Sequence, residues 1–317
     1  MLFAFLTTLE QMVRIFLFLL MGFGLNRLRI LPKGAGTGIS RLVTTVFLPA
    51  LLIHSNMTEF QLENIGTYGR LVLLGSALWL AVTLICVPVA KKLSGGDPLD
   101  YGKYLYGFSF PNTSAVGTPL VIALLGTAGL LEFNLFLILW VIMTYAWGVN
   151  LFSEKKQERT PKQLLTQLFN PVFVAMLVGL LLGTLNGKDW MPDLAVNLLG
   201  DLGSCYVPVS LLMVGYTIAE YPLGDVFNRP KSYVFAAIRL IVIPLAVLLA
   251  ALGFGFSKSV ATLAVLAFAC PSGMNVVVCP ASYGQDCKTG ASIVLISCLG
   301  SILTVPVLYA LLQALYP

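Results

Sequence analysis

The chain has 317 residues, of which 58% are hydrophobic and 10% are charged, and its mean hydropathy is +0.89. Soluble domains carry about 25% charged residues, so this composition excludes an ordinary globular enzyme, a nucleic-acid-binding protein and a disordered chain. The formal net charge of +5 is typical of a membrane protein with basic cytoplasmic loops. The composition therefore predicts an all-α polytopic membrane protein.

Ten apolar segments are long enough to cross a bilayer at about 20 residues per helix. The first segment lacks the basic start and the short length of a cleaved signal peptide, so we interpret it as a span. The most polar stretch, SEKKQERTPKQ, is predicted as a cytoplasmic linker at 153–163, between five-helix repeats at 1–152 and 164–317. The predicted spans are 3–25, 39–57, 68–90, 102–126, 130–152, 168–186, 194–219, 231–254, 258–281 and 289–315.

Lysine and arginine are unevenly shared between the two predicted membrane faces. One face has only Arg70, Lys188 and Lys258. By the positive-inside rule the richer face is cytoplasmic, which predicts a multi-pass protein of the cell membrane with both termini outside. The fourteen residues of the richer face are Arg27, Arg29, Lys33, Arg41, Lys91, Lys92, Lys103, Lys155, Lys156, Arg159, Lys162, Arg229, Lys231 and Lys288.

Two proline landmarks recur at nearly the same offset. VFLPALL and CYVPVSLLM place Pro49 and Pro208 159 residues apart, and FSFPNTSAVGTPL and FACPSGMNVVVCPA place Pro111 and Pro271 160 apart. A repeat with an odd number of spans enters the membrane in opposite senses in its two copies. The offset therefore predicts two inverted repeats, an arrangement found in many secondary transporters.

The fourth and ninth predicted spans each contain two prolines, Pro111 with Pro119 and Pro271 with Pro280. Proline removes a backbone hydrogen bond and clashes with the preceding turn, so both helices are predicted to be broken. A single proline is usually a tolerated kink, and a single asparagine is often an interhelical hydrogen bond. Matching breaks in both repeats favour a transport site.

Polar and small residues surround the two predicted breaks. The amino-terminal ends of half-helices that point at one spot create a positive field without a charged side chain. An anion is the expected ligand. The residues at the breaks are Asn112, Thr113, Ser114, Gly117, Ser272, Gly273 and Asn275.

PNTSAVGTPL resembles the first crossover motif of the auxin efflux carrier family, and CPSGMNVVVCPASYGQDCKTGAS resembles its second. Bacterial members of that family are often assigned as malonate or malate permeases. The resemblance covers essentially the whole chain. It implies ten helices in two inverted repeats with crossed fourth and ninth helices. It also implies that spans one, two, six and seven form a scaffold while the others move as an elevator.

The roles of matching motif residues in that family imply that Asn112 is the principal substrate-contacting amide. They also imply that Pro111 and Pro271 form the crossing point. The resemblance also places further residues in the pocket. The short linker lacks the long phosphorylation-rich loop of plant auxin carriers, so a small organic acid is the expected substrate. The further pocket residues are Thr113, Ser114, Ser272, Met274 and Asn275.

Ionisable residues within or beside spans are candidates for coupling transport to an ion gradient. Asp286 falls in the resembling Tyr-Gly-x-Asp motif, which suggests proton coupling. His54 is either a proton carrier or an interfacial side chain. Arg239 either pairs with a carboxylate, Glu220 or Asp225, or offers its charge to the anion. Glu10 and Arg14 stand four residues apart and are expected to pair, and the role of Asp201 is left open.

The alternative transport hypothesis is a sodium-coupled carrier of larger amphipathic anions, like the bile-acid transporters that share a ten-helix crossover plan. A membrane enzyme is disfavoured because no GxSxG, HExxH or paired-aspartate pattern occurs within the spans. No cofactor is predicted. The six cysteines and one histidine form no zinc pattern. Gly179 and Gly183 form a GxxxG pair that permits either internal packing or dimerisation, and the resemblance suggests a homodimer through the scaffold.

Overall fold

A computed structural model describes residues 2–32, 35–152, 170–220 and 226–316. These ranges form helices and contain no named strand, which confirms the all-α prediction. The predicted linker at 153–163 and Asp225 lie outside the described residues. The helices are α1 (Leu2–Arg27), α2 (Ala35–Glu59), α3 (Leu62–Ser94), α4 (Pro98–Ser109), α5 (Thr113–Phe136), α6 (Ile138–Ala146), α7 (Pro171–Thr184), α8 (Gly187–Trp190), α9 (Asp193–Ala219), α10 (Pro230–Gly253), α11 (Lys258–Ala269), α12 (Asn275–Ser282) and α13 (Lys288–Leu315).

Seven of the described helices are long and apolar enough to cross a membrane: α1, α2, α3, α5, α9, α10 and α13. The helices α7 and α11 are apolar but shorter, and α6 continues into a short 3-10 turn. The polytopic class is thereby confirmed. The grouping into ten spans stays a prediction. In that grouping, α4 and the first half of α5 form one span, the second half of α5 and α6 form the next, and α11 and α12 form another.

Helix α5 consists of two helices joined at Gly126, which has φ 73° and ψ −166°. A side chain with a Cβ is strained in this backbone conformation, whereas glycine adopts it freely. The predicted boundary between the fourth and fifth spans, at 126–130, falls at this residue. One glycine therefore separates two helices that are continuous in apolar character.

Three of the described helices contain a π turn, and each turn ends two residues before a proline. The turns are Val43–Phe47 before Pro49, Thr113–Gly117 before Pro119, and Ile238–Val242 before Pro244. Proline has no amide hydrogen and its ring crowds the carbonyl four residues earlier. A π turn accommodates this by moving the hydrogen bond to the carbonyl five residues back, as between the Leu48 amide and the Val43 carbonyl.

Close backbone contacts join α1 to α9 and α2 to α7. A Cβ built on Gly22 would lie 1.9 Å from the Leu212 carbonyl oxygen, and one built on Gly215 would lie 1.9 Å from that of Leu19. The predicted inverted repeat pairs the first span with the sixth and the second with the seventh, so it relates the contact of α1 with α9 to the contact of α7 with α2. Helices that approach this closely need glycine at the contact.

The Gly179 and Gly183 pair packs on α2 of the same chain. A Cβ on Gly179 would meet Leu52 and Asn56, and one on Gly183 would meet Phe60. The Asn56 side-chain amide also donates to the Met176 carbonyl, 3.2 Å away. The GxxxG pair is therefore used for packing within the chain, which was one of its two predicted uses. The homodimer stays a prediction.

The predicted pair of Glu10 and Arg14 is confirmed. Arg14 Nη2 lies 2.6 Å from Glu10 Oε1, and both side chains are exposed on α1. The other ion pair among the described residues joins buried Lys103 to Asp100, 3.1 Å apart on α4. Each pair lies within one helix, so neither connects separate parts of the fold.

Candidate functional site

The two helix breaks contact each other directly. The Asn112 amide donates to the Pro271 carbonyl at 2.8 Å, and the Gly273 amide donates to the Phe110 carbonyl at 3.2 Å. These bonds form an isolated antiparallel bridge between Pro111 and Ser272. Two segments about 160 residues apart in sequence are thus joined through their backbones, as the two proline motifs require of a crossing.

The first break results from Pro111 and is closed by Asn112. Helix α4 ends at Ser109, and Phe110 has the extended φ of −127° that a residue before proline prefers. Asn112 then caps α5, because its Oδ1 accepts from the Ala115 amide at 3.1 Å. The carbonyl of Ser109, at the end of α4, accepts from the indole nitrogens of Trp79 and Trp140.

The second break follows Ala269, the last residue of α11. Pro271 again supplies a carbonyl and no amide donor, and the Ser272 amide donates to Ser297 Oγ on α13 at 3.1 Å. Helix α12 then begins at Asn275. The Pro271 carbonyl and the amides of Ser272 and Gly273 are thus bonded inside the protein, as a broken helix at membrane depth requires.

A cavity of about 500 Å³ lies beside the crossing. It is bounded by helices from both halves of the chain, and its lining contains hydroxyl, amide and aromatic groups but no charged side chain among the described residues. The polar lining residues are Ser40, Thr44, Tyr106, Asn112, Thr113, Ser114, Thr144, Tyr206, Ser210, Thr217 and Asn275.

Asn112 lines this cavity, and its side-chain amide is a buried, unused donor. The residue is 8% exposed, and its Nδ2 has no hydrogen-bond partner in the part of the chain that the structure describes. An unpaired buried donor costs free energy unless a ligand accepts from it. The first turns of α5 and α12 also line the cavity, and the amino-terminal end of each helix carries partial positive charge. The cavity therefore presents donors and partial positive charge, which suit an anion.

Tyr106 was not among the residues predicted for the site. Its hydroxyl accepts from Asn275 Nδ2 at 2.7 Å, which fixes the orientation of that amide at the start of α12. Thr44 and Ser210 were also missed. Both lie near the repeated proline landmarks, since Thr44 is in the π turn before Pro49 and Ser210 is two residues after Pro208. That proximity was the available signal.

We expect Tyr106→Phe to weaken ligand binding by about 3- to 10-fold, because one neutral hydrogen bond contributes about 1 kcal/mol. The ring is retained, so its packing against Phe110 and Phe152 and the fold should persist. Titration calorimetry of the purified protein with a small organic acid, the expected substrate, measures the effect. Tyr104→Phe is the matched control, since Tyr104 lies on the same helix outside the cavity lining, and an equal loss in both variants would contradict the role of Tyr106.

Seven of the ten predicted site residues line the cavity: Pro111, Asn112, Thr113, Ser114, Gly273, Met274 and Asn275. The other three, Gly117, Pro271 and Ser272, lie behind the lining. A Cβ on Gly117 would lie 3.1 Å from Cys270 Sγ, so this glycine allows α5 to pack on the second break. The Pro271 carbonyl holds Asn112 by its amide, and Ser272 is fully buried.

The three coupling candidates are not part of the cavity lining. Asp286 is exposed on the turn before α13, where its Oδ1 accepts from the Lys288 amide at 3.0 Å. His54 faces α9, with its Nε2 3.2 Å from a Cβ built on Gly200. Arg239 is fully buried on α10. Neither Asp286 nor His54 lines the cavity beside the crossing. Coupling through either side chain stays a prediction.

Glu220 was a candidate partner for Arg239, but the structure contains no ion pair between them in the described ranges. Glu220 lies at the end of α9, where partial burial raises the pKa of its carboxyl group. Pairing with Glu220 is therefore wrong for this conformation. Asp225, the other candidate, lies outside the described residues.

A chain of membrane-spanning helices in which two broken helices meet beside a polar, uncharged cavity defines a polytopic membrane transport protein. The comparison with known families agrees: the family described as membrane transport protein matches residues 7–309. The chain belongs to this family, that of the auxin efflux carriers. None of the curated protein sequences compared with the chain matches it. The protein is therefore a membrane transporter, and the family is not one of enzymes.

Proposed function

We propose that this protein is a secondary active transporter of small organic anions, of the size of malonate or malate, that binds its substrate at the crossing. The observation that carries the proposal is the buried Asn112 Nδ2, an unused donor of a residue that lines a cavity beside two helix amino termini. A carboxylate accepts such hydrogen bonds with both oxygens.

The cavity lies between elements that the family resemblance assigns to different bodies. Thr44 and Ser210 belong to the scaffold helices α2 and α9, whereas Asn112 and Asn275 belong to the broken helices assigned to the moving body. A ligand held by the moving side at such a boundary can cross with it. This placement supports an elevator type of alternating access.

The cavity extends toward the basic face of the protein. Three lining residues lie near this face. Ser40 is next to Arg41, Val172 is near the start of α7, and Thr217 is near the end of α9. By the positive-inside rule this face is cytoplasmic. We therefore assign the structure to an inward-facing state, with both termini outside the cell.

A second candidate is the sodium-coupled carrier of larger amphipathic anions. The cavity volume of about 500 Å³ favours it, since this is within the range that binds drug-sized ligands. The lining weighs against it, because its described residues include no carboxylate, and sodium sites are generally built from oxygen ligands that include one or more charged groups. The small-acid proposal therefore stands first.

Uptake into proteoliposomes tests the proposal. Labelled acetate, malonate, malate and a bile acid are offered separately under an inward proton gradient, an inward sodium gradient and no gradient. We expect saturable accumulation of a small carboxylate that protein-free liposomes lack, driven by one of the two gradients. Sodium-driven uptake of the bile acid alone would select the second candidate. If monodisperse protein transports none of the four compounds, both candidate functions are overturned.

A further inference from the structure

Arg239 is the least expected side chain in the fold. It lies in the π turn of α10, its residue is 0% exposed, and its Nε, Nη1 and Nη2 atoms have no hydrogen-bond partner in the described ranges. The two ion pairs in those ranges involve Arg14 and Lys103. A charged side chain buried in a membrane without a partner is expensive, and such residues usually serve function.

The π turn that contains Arg239 packs against α11, which ends at the second break, and against α13, whose Ser297 binds the Ser272 amide. Among titratable side chains, those of Cys270 and Cys86 are near Arg239. Cys270 directly precedes Pro271, whose carbonyl binds the Asn112 amide, and its Sγ packs against Gly117 at the start of α5. Arg239 is therefore close to the second break but is not part of the cavity lining.

The internal repeat gives the position of Arg239 a counterpart. The offset of 160 residues that relates Pro111 to Pro271 relates Trp79 to Arg239. Trp79 is also buried, and its Nε1 donates to the Ser109 carbonyl at the end of α4, 2.9 Å away. In the first repeat the break is thus supported by a neutral donor, and in the second the equivalent position has a full positive charge.

We propose that Arg239 is a fixed charge that lets the cavity bind an anion without a bound metal cation. The proposal rests on the proposed function. Arg239 acts through its field and does not touch the ligand, since it is absent from the cavity lining. The described residues of the lining include no charged side chain, and in a low-dielectric interior a nearby buried charge is only weakly screened. The field adds to that of the α5 and α12 amino termini.

A fixed charge also determines what moves across the membrane. If the two broken helices and α10 move as one body, the empty body has one positive charge, whereas a bound malonate dianion and Arg239 together have one net negative charge. Membrane voltage then acts on the empty and the loaded body in opposite directions. A carrier that relies on a recruited cation has no charge on its empty body.

Calorimetric binding of malonate and of its neutral diamide, malonamide, to the purified full chain tests the proposal. We expect Arg239→Gln to weaken malonate binding by about tenfold or more, the scale expected of a nearby charge, and to leave malonamide binding within about twofold. Arg239→Lys should retain malonate binding within about threefold, since it keeps the charge. Equal weakening of both ligands in Arg239→Gln would indicate a structural role and overturn the proposal.

Asp225→Asn is the control for an ion pair with that aspartate. We expect it to leave malonate affinity unchanged; a loss equal to that of Arg239→Gln would assign Arg239 to a pair with Asp225 and overturn the proposal. If Arg239→Gln does not fold, the malonate affinity of the unaltered protein is measured in sodium, potassium and choline buffers. We expect the same affinity in all three. A fall of tenfold or more in choline would overturn the proposal. Failure of the unaltered protein to bind any carboxylate would overturn the proposed function as well.

Discussion

Asn112→Ala should reduce carboxylate uptake to near background and weaken binding by about 10- to 100-fold, because a hydrogen bond to a charged group contributes about 1.5–3 kcal/mol. The alanine variant removes two functions together. It deletes the unused Nδ2 donor and the Oδ1 cap on the Ala115 amide. Uptake into proteoliposomes and calorimetry of the same preparation measure the loss.

Asn112→Asp separates the two functions. A carboxylate keeps an oxygen that can accept from the Ala115 amide, so the α5 cap and the fold should persist. The donor is replaced by a negative charge, which repels an anionic ligand. We expect this variant to retain the thermal stability of the original protein and to bind malonate no better than Asn112→Ala.

Asn150→Ala is the matched control for both variants. The Asn150 side-chain amide is bonded to the Ala146 carbonyl, 3.1 Å away, outside the cavity lining. It should transport normally. Malonate uptake by Asn112→Asp at the original rate would show that the amide donor is not used and would remove the observation on which the proposed function rests.

Gly22→Ala should strongly destabilise the packing of α1 on α9. The added Cβ would lie 1.9 Å from the Leu212 carbonyl oxygen, and backbone cannot yield as a flexible side chain does. Overpacking of this kind costs about 1–3 kcal/mol or more, so we expect a clear fall in the melting temperature and reduced yield in the membrane. Thermal unfolding in one detergent measures it.

Gly24→Ala is the matched control on the same helix. No atom lies within 4 Å of a Cβ built on Gly24, and alanine is the better helix former by about 1 kcal/mol. This variant should be as stable as the original or slightly more so. Gly215→Ala should behave like Gly22→Ala, because it meets the Leu19 carbonyl in the reciprocal contact. Equal melting temperatures for Gly22→Ala and Gly24→Ala would contradict the close contact.

Much of the site could be predicted because proline acts locally. Two prolines in one span, beside polar residues, predict each break from the chain itself, and Asn112 stands next to one of these prolines. The substrate-contacting role of Asn112 is what the family resemblance implies. The pairing of the breaks followed from the shared offset. Pro271 and Ser272 illustrate the limit of this reasoning, since they form the crossing but lie behind the cavity.

The sequence by itself determined the membrane class, the two helix breaks and the polar residues beside them, because hydropathy and proline geometry depend on neighbouring residues only. The tertiary structure alone decided that Tyr106 holds Asn275, that Gly179 packs on α2, and that Arg239 lies close to the second break without a carboxylate partner in the described ranges. These contacts join residues that are distant in the chain. They depend on how helices rotate and approach each other, which hydropathy does not encode.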